Sequence, residues 1–565
     1  MRALPRPHMP QSLLWFVLIL ISLGIAFFLP GLGAARLFDW DEINFAEAAR
    51  EMLVTGDYLR VQIDFQPFWE KPPLFFWLQA LSFHAFGVNE FSARFPNALI
   101  GIFTILSIFW IGRRLQSAAF GWIWALSYFG SLLPHFYFRS GLIDPVFNLF
   151  IFWSVASIAF YYLEKKLFWI FLAGAACGLG VLSKGPVALL MTGLTWSVLY
   201  FSFIRSLRFP WKEAFLFLLT LIATSSVWFL VEWKINGPHF IQEFLTYQIR
   251  LMSIHDAGHK GFPGYHLVVL LLGCFPASIF CIEQFFSKNN LPAAQSFFQS
   301  WMKILLFVVL IVFSLVKTKI LHYSSLAYFP LTYLAALAIY ERIAQTKFQT
   351  FFGPTLIAFL VLGTLIATAI SVVPTLMSHP EPILNWIKDP FARANLEDHT
   401  QWSGREYFIG IFYQIGLVTA AYFMTRKTWA IAFHIFVFST AITVFSVTSF
   451  ILPKIERATQ GSAVDFYSAL QFKNAYVEPY GFKSYAHLFY SRKSISINTL
   501  ESDQQRRSGN YKSWLLSGKT DLPVYLVSRV TSQQDLLRLP NFKKIAEKNG
   551  YALFEAPAKP SSPKK

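Results

Sequence analysis

The chain has 565 residues, of which 55% are apolar, 18% aromatic and 14% charged, where soluble domains carry about 25% charged residues. A soluble chain of this length would fold as roughly three to four domains, each needing a polar cover. With 62 Phe and 18 Trp, the composition calls for lipid-facing helices and aromatic belts at the membrane interface, and it excludes a small secreted domain, a coiled coil or a disordered regulator. The net charge is +17, but the cations stand mostly between apolar runs, where lipid head groups and phosphate ligands explain them better than nucleic acid does.

Thirteen apolar runs follow one another at 11–30, 95–112, 117–133, 143–163, 167–182, 186–204, 212–232, 265–286, 301–316, 323–340, 351–374, 407–424 and 428–450. Many approach the ~20 residues that cross a bilayer core. Arg2 and Arg6 precede the first run, as in a signal peptide, but it lacks a small-residue cleavage site and reads as a retained helix. Cys177, Cys274 and Cys281 all lie in apolar runs and form no disulfide framework. With the N-terminus inside, Arg113/Arg114, Lys165/Lys166, Arg205/Arg208/Lys212, Lys288, Arg342/Lys347 and Arg426/Lys427 all fall on the cytoplasmic side. That parity requires residues 73–87 to be a helix lying on the membrane rather than a span.

The fold class predicted is an all-α polytopic membrane domain over 1–452, with a first outside loop at 31–92 and about thirteen transmembrane helices. A small soluble α/β domain follows at 453–557, then a disordered Pro/Ser/Lys tail at 558–565. Pro523–Arg529 and Tyr551–Glu555 read as strands, Ser462–Lys473 and Gln533–Asn549 as helices.

The outside loops hold the chemistry. Phe38-Asp-Trp-Asp41-Glu42 places three acids directly after a membrane helix, where charge is costly beside lipid. Asp41 can cap a helix running to Val54, with Glu42 favoured by the helix dipole, and Asp144, before Pro145, reads locally as another cap. A carboxylate fixed at a helix start also suits a general base. Basic clusters at Glu70-Lys71-Pro72-Pro73, Ser183-Lys184-Gly185, His259-Lys260 and Lys317-Thr318-Lys319 run against the positive-inside bias. They are either snorkelling side chains at helix ends or a phosphate site assembled from several loops. His255 and His259 have metal-sharing spacing, but Asp256 stands where a zincin needs Glu. Gly178–Gly185 lacks the order of a nucleotide-binding loop, so no nucleotide cofactor is predicted.

Taken together, Asp41-Glu42…Phe45-Ala46-Glu47, Arg50–Leu53, Phe68-Trp-Glu-Lys-Pro-Pro73, Leu142–Pro145, Ser183–Gly185, His259-Lys260 and Lys317–Tyr323 resemble the motifs of the polyprenol-dependent GT-C glycosyltransferases, in family order. That class includes the protein O-mannosyltransferases and the lipid A aminoarabinose transferases. The resemblance covers roughly residues 10–450. It implies an enzyme of the bacterial inner membrane, active on the periplasmic side, that moves a sugar from a polyprenyl-phosphate donor to an envelope acceptor, either lipid A or another glycolipid, or a protein. It implies Asp41 as the catalytic residue, assisted by Asp144, and Glu42, Lys71, Lys184, Lys260 and Tyr323 as substrate-binding residues. A divalent metal near Glu70 and His259 is implied by one branch of the family. Asn44 and Phe68 depart from that branch, which tends to have Arg and Tyr there, so donor or acceptor may differ from aminoarabinose and lipid A. The alternative is a flippase or transporter of lipid-linked glycans, which would carry ionisable residues near mid-membrane.

Overall fold

A computed structural model describes residues 11–204, 210–253, 261–286, 291–344, 352–397 and 402–559. Each of the thirteen apolar runs is largely helical over its described residues, with breaks at 130–131 in the third and at 274–276 in the eighth. Among the described residues, seven helices are long and apolar enough to cross a membrane, and a further span forms if Tyr265–Gly273 and Ala277–Phe286, bent by 116°, count as one. That bend corrects the reading of 265–286 as one straight helix: Cys274 lies at the break, and all three cysteines are free and buried. Small residues let the bundle close. Helix Phe168–Lys184 packs on Trp211–Asn236 so tightly that a Cβ at Gly174 would sit 2.4 Å from the Phe217 carbonyl oxygen.

The first loop is an ordered layer above the bundle. Its helix Asp41–Thr55 is buried from Glu42 to Met52 because it has two apolar faces at helical spacing. Phe45, Ala48 and Met52 pack on Phe75, Phe76 and Val146, while Ile43, Ala46 and Ala49 pack on the C-terminal domain. A hairpin follows, β1 (Gln62–Ile63) and β2 (Gln66–Pro67), turned by Asp64 and Phe65 at φ 59° and 54°. Residues 74–86 form a 13-residue helix, too short to span.

The last membrane helix runs on without a break in helical structure from Trp429 to Ala469, so the boundary at 453 falls inside a helical rod. Beyond it stands a four-stranded sheet, β3 (Tyr476–Tyr480), β4 (Val524–Arg529), β5 (Lys543–Lys548) and β6 (Tyr551–Ala556), in the order β3-β4-β6-β5 with only β3 and β4 parallel. Strand alternation splits β4 between two cores. Val524 and Leu526 face Trp514 and Leu536, and Tyr525 and Val527 belong to the core that Val464, Tyr467 and Phe489 share with the helix of the first loop. The strands at 524–529 and 551–556 match the sequence reading, and the helix from Ser462 ends at Ala469. Residues 533–549 do not form one helix. Gln533–Leu537 is helical, and β5 then pairs antiparallel with β6. The turn between them is Asn549-Gly550, both at positive φ, a strong hairpin signal. The lysines of β5 lie on an exposed edge strand, where they discourage further pairing.

Candidate active site

The loops expected on one side converge on a cavity of about 680 Å³ between the bundle, the first loop and the C-terminal domain. Asp41, Glu42, Glu70, Lys71, Asp144, Lys184 and Tyr323 all line it. His259 and Lys260 lie outside the described residues.

Asp41 opens helix Asp41–Thr55 as its first residue. The position before it is Trp40, and no side chain caps the helix. Asp144 likewise opens helix Asp144–Glu164 without a capping bond. The capping readings therefore fall. In place of a cap, the Asp144 carboxylate, 4% exposed, accepts a hydrogen bond from Lys184 Nζ at 2.7 Å. Lys184 is set there by Gly185, which ends its helix at φ 98° with Phe244 so close that a Cβ would lie 2.5 Å from it. Asp41 is 44% exposed, and His322 Nε2 lies 3.7 Å from Asp41 Oδ2 and 3.8 Å from Asp144 Oδ2. One imidazole thus stands between the two acids. Burial lowers its pKa below 6.5, against the pull of Asp144 and Asp41.

Lys71 precedes Pro72-Pro73, which leads into helix Leu74–Phe86. Its Nζ lies 3.9 Å from Glu70 Oε2 and 5.2 Å from the Tyr247 ring centre. Burial pushes Lys71 below its ordinary pKa, and the charge of Lys184 adds to that against the pull of Glu70. Tyr323 carries the Lys184 ammonium 5.4 Å from its ring centre. Lys71, Asp144, Lys184 and Tyr323 also form the polar mouth of a second pocket of about 90 Å³, walled by Phe147, Leu190, Met191, Val312 and Leu326. Cations at the mouth of an apolar slot suit a phosphate on a lipid chain.

Two sequence-derived candidates turn out to serve the framework. Glu42 is buried and takes hydrogen bonds from Arg94 Nε (2.9 Å) and Nη2 (2.8 Å) and from the backbone N–H groups of Phe38 and Gly141. It is engaged by the protein rather than offered to a substrate. Lys319 donates to the carbonyls of Phe313, Ser314 and Val316, closing the end of helix Ala293–Leu315, while Lys317 is exposed and not on the cavity wall. Among the described residues no three of His, Cys, Asp and Glu are grouped to hold a metal. Glu70 is the one sequence-predicted ligand that the structure describes. His322, Tyr247, Arg250, Lys483 and Tyr485 line the cavity without having been singled out. His322 lay inside a quoted motif. Tyr247 and Arg250 sit on the amphipathic helix His239–Ser253, and Lys483 and Tyr485 come from a domain with no local chemical signal.

With this geometry in place, the comparisons are specific. The family model for dolichyl-phosphate-mannose-protein mannosyltransferases matches residues 70–229. An uncharacterized protein of Aquifex aeolicus is 30% identical over 361 residues, 62% of this chain and 79% of that one. The undecaprenyl phosphate-alpha-4-amino-4-deoxy-L-arabinose arabinosyl transferase of Edwardsiella ictaluri is 28% identical over 46% of this chain, and the match spans about half, 48%, of that relative's length. The crystal structure of ArnT from Cupriavidus metallidurans bound to undecaprenyl phosphate superposes with a TM-score of 0.77 at 15% identity, covering 96% of this chain and 98% of that one. The chain is an integral membrane protein that belongs to the GT-C family of glycosyltransferases.

Proposed function

We propose that the protein transfers a sugar from a polyprenyl-phosphate donor to an envelope acceptor, a glycolipid or a protein, on the extracytoplasmic side of the bacterial inner membrane. The observation that carries this reading is the placement of an accessible carboxylate, Asp41, in one cavity with Lys71 and Lys184 at the mouth of an apolar slot. The relatives' names support the donor class: one is an undecaprenyl phosphate aminoarabinose transferase, another was crystallised with undecaprenyl phosphate.

In this reading the lipid chain lies in the apolar slot and its phosphate meets Lys71, Lys184 and Tyr323. Lysines placed where the leaving phosphate gains charge stabilise the transition state. Asp41 takes the proton of an acceptor hydroxyl as that oxygen attacks the anomeric carbon and the bond to the phosphate breaks. With an acceptor that is already ionised, Asp41 orients it instead. A single displacement inverts the anomeric centre, and one base suffices, unlike the paired carboxylates of glycosidases. Asp144 holds the Lys184 ammonium, and His322 spaces the two acids. Glu70 remains the described candidate for a divalent-metal ligand. His259 would have to join it, and no step above passes through a metal. A flippase is the weaker reading, because the acids and lysines of the cavity gather at one end of the bundle instead of along a path through it.

The test is Asp41→Asn in purified protein. The side chain caps nothing, so the fold should persist. Transfer should fall by about 10²–10⁴ while undecaprenyl phosphate still binds. Near wild-type turnover would remove Asp41 from the reaction.

A further inference from the structure

The two acids beside His322 differ in what they are free to do. Asp144 is buried and committed to the Lys184 ammonium, while Asp41 opens to the cavity. The imidazole that stands 3.7 Å from one and 3.8 Å from the other has its side chain 12% exposed. It is held from behind. His322 belongs to the 3₁₀ helix Leu321–Ala327, and its carbonyl accepts a hydrogen bond from Ser325 Oγ. That hydroxyl in turn accepts from Asn148 Nδ2 at 2.7 Å. Asn148 lies one turn past Asp144 on the same helix, so the segment that carries the imidazole is fastened to the helix that presents Asp144. The charges acting on the ring come from three other elements. Burial, then Lys184 and Lys71, hold its pKa below 6.5 against the pull of Asp144 and Asp41. At neutral pH the ring is therefore uncharged and keeps one bare nitrogen that can accept a proton.

We propose that His322 is the proton carrier of the transfer: it takes from Asp41 the proton that Asp41 removes from an acceptor hydroxyl, and Asp144 steadies the imidazolium so formed. This deepens the function proposed above and rests on it. In the displacement the acceptor O–H bond breaks as its oxygen bonds to the anomeric carbon. The anomeric C–O bond breaks, and its electron pair leaves on the polyprenyl phosphate. The proton lands on Asp41, passes to His322 Nε2, and goes to water in the cavity as the ring reverts to its neutral form. Asp41 is then a carboxylate again for the next turnover. Separations such as 3.7 Å tighten when substrate fills a site. Asp144 cannot serve in place of the imidazole, because a proton there would leave the Lys184 ammonium without its partner. A carrier has a use only where the nucleophile brings a proton, so the site is built for a hydroxyl acceptor rather than an anion.

Turnover by the full-length purified protein tests this. The lipid-linked sugar that accumulates in cells carrying Asp41→Asn is extracted as donor, and membranes of cells lacking the protein supply the acceptor. His322→Gln, which keeps a polar side chain but cannot take a proton, should bind undecaprenyl phosphate as the wild type does and transfer at least about tenfold more slowly. The wild-type rate should fall as pH drops below 6.5, where the ring arrives already protonated, and His322→Gln should lack that limb. Imidazole added to His322→Ala should restore turnover in proportion to its neutral form. In an Asp41→Asn background, His322→Gln should add no further loss, since the carrier then has nothing to receive. The inference is overturned if His322→Gln turns over at a near wild-type rate or keeps the acid limb. It is overturned equally if imidazole fails to rescue His322→Ala that still binds undecaprenyl phosphate. Should His322→Ala not fold, His322→Gln alone decides. Asp41→Asn cells that accumulate no lipid-linked sugar would instead strike the underlying function, and the inference with it.

Discussion

Asp144 and Lys184 share a 2.7 Å hydrogen bond with little access to water, so each is the other's main compensation. Removing one partner of such a pair leaves a buried charge and costs about 3–5 kcal/mol, whereas removing both costs far less than the sum. Asp144→Ala and Lys184→Met should each lower thermal stability markedly, and the double variant should recover part of the loss. Additive losses would mean that the two side chains do not act as a pair. Lys184→Met and the double variant should also weaken undecaprenyl phosphate binding. The chemical types of these residues were legible in the sequence, since acids and lysines at the ends of apolar runs have no cheap structural excuse. Their local roles were not. A first helical residue and a cap differ by one position, and only the backbone tells them apart. Glu42 looked like a site residue because its partner, Arg94, lies 52 positions away.

At the scale of elements, the turn at Gly185 aims Lys184. A Cβ there would meet φ 98° and Phe244 at 2.5 Å, so Gly185→Ala should cost on the order of 1–3 kcal/mol and shift Lys184 enough to weaken undecaprenyl phosphate binding. Unchanged binding would show that the turn does not set the site. The hairpin of the first loop is a second fixed point. Asp64, at its tip, pairs with Lys493 and with Arg506 Nη1 (2.5 Å) in the C-terminal domain, and Arg506 and His487 reach Glu478 at 3.6 and 3.3 Å. Burial favours the neutral form of Glu478, but His487, Lys493 and Arg506 outweigh it and push the carboxyl down to about 2. A carboxylate depressed in the folded state adds stability above its ordinary value of 4.5, and that stability is lost as pH falls from there toward 2. Thermal melts should therefore show an acid-sensitive transition in this window that Glu478→Gln flattens. An equally steep acid limb in the variant would place the sensitivity elsewhere. The Asn549-Gly550 hairpin shows why part of this layer was misread. Its turn signal was present, but the charged residues of β5 carry no strand alternation of hydrophobicity, being on an exposed edge.

Across the whole molecule, thirteen apolar runs and the alternation of Lys and Arg were enough to read the membrane bundle and to bring Asp41, Lys71, Asp144, Lys184 and Tyr323 to one side. Hydropathy is a long-range signal that needs no knowledge of contacts. The contribution of the C-terminal domain was invisible in the same sequence, because Lys483 and Tyr485 reach the cavity only through the docking of that domain on the helix Asp41–Thr55, some 430 residues earlier. The central claim is that this cavity consumes a polyprenyl-phosphate-linked sugar. Mass spectrometry of envelope lipid extracts from cells with the wild-type protein, without it, and with Asp41→Asn tests that claim most directly. The account predicts that the last two accumulate the same sugar-charged polyprenyl phosphate and lose the same glycan mass from an envelope acceptor. Lipid-linked sugar pools and acceptors that are identical in all three strains would contradict it.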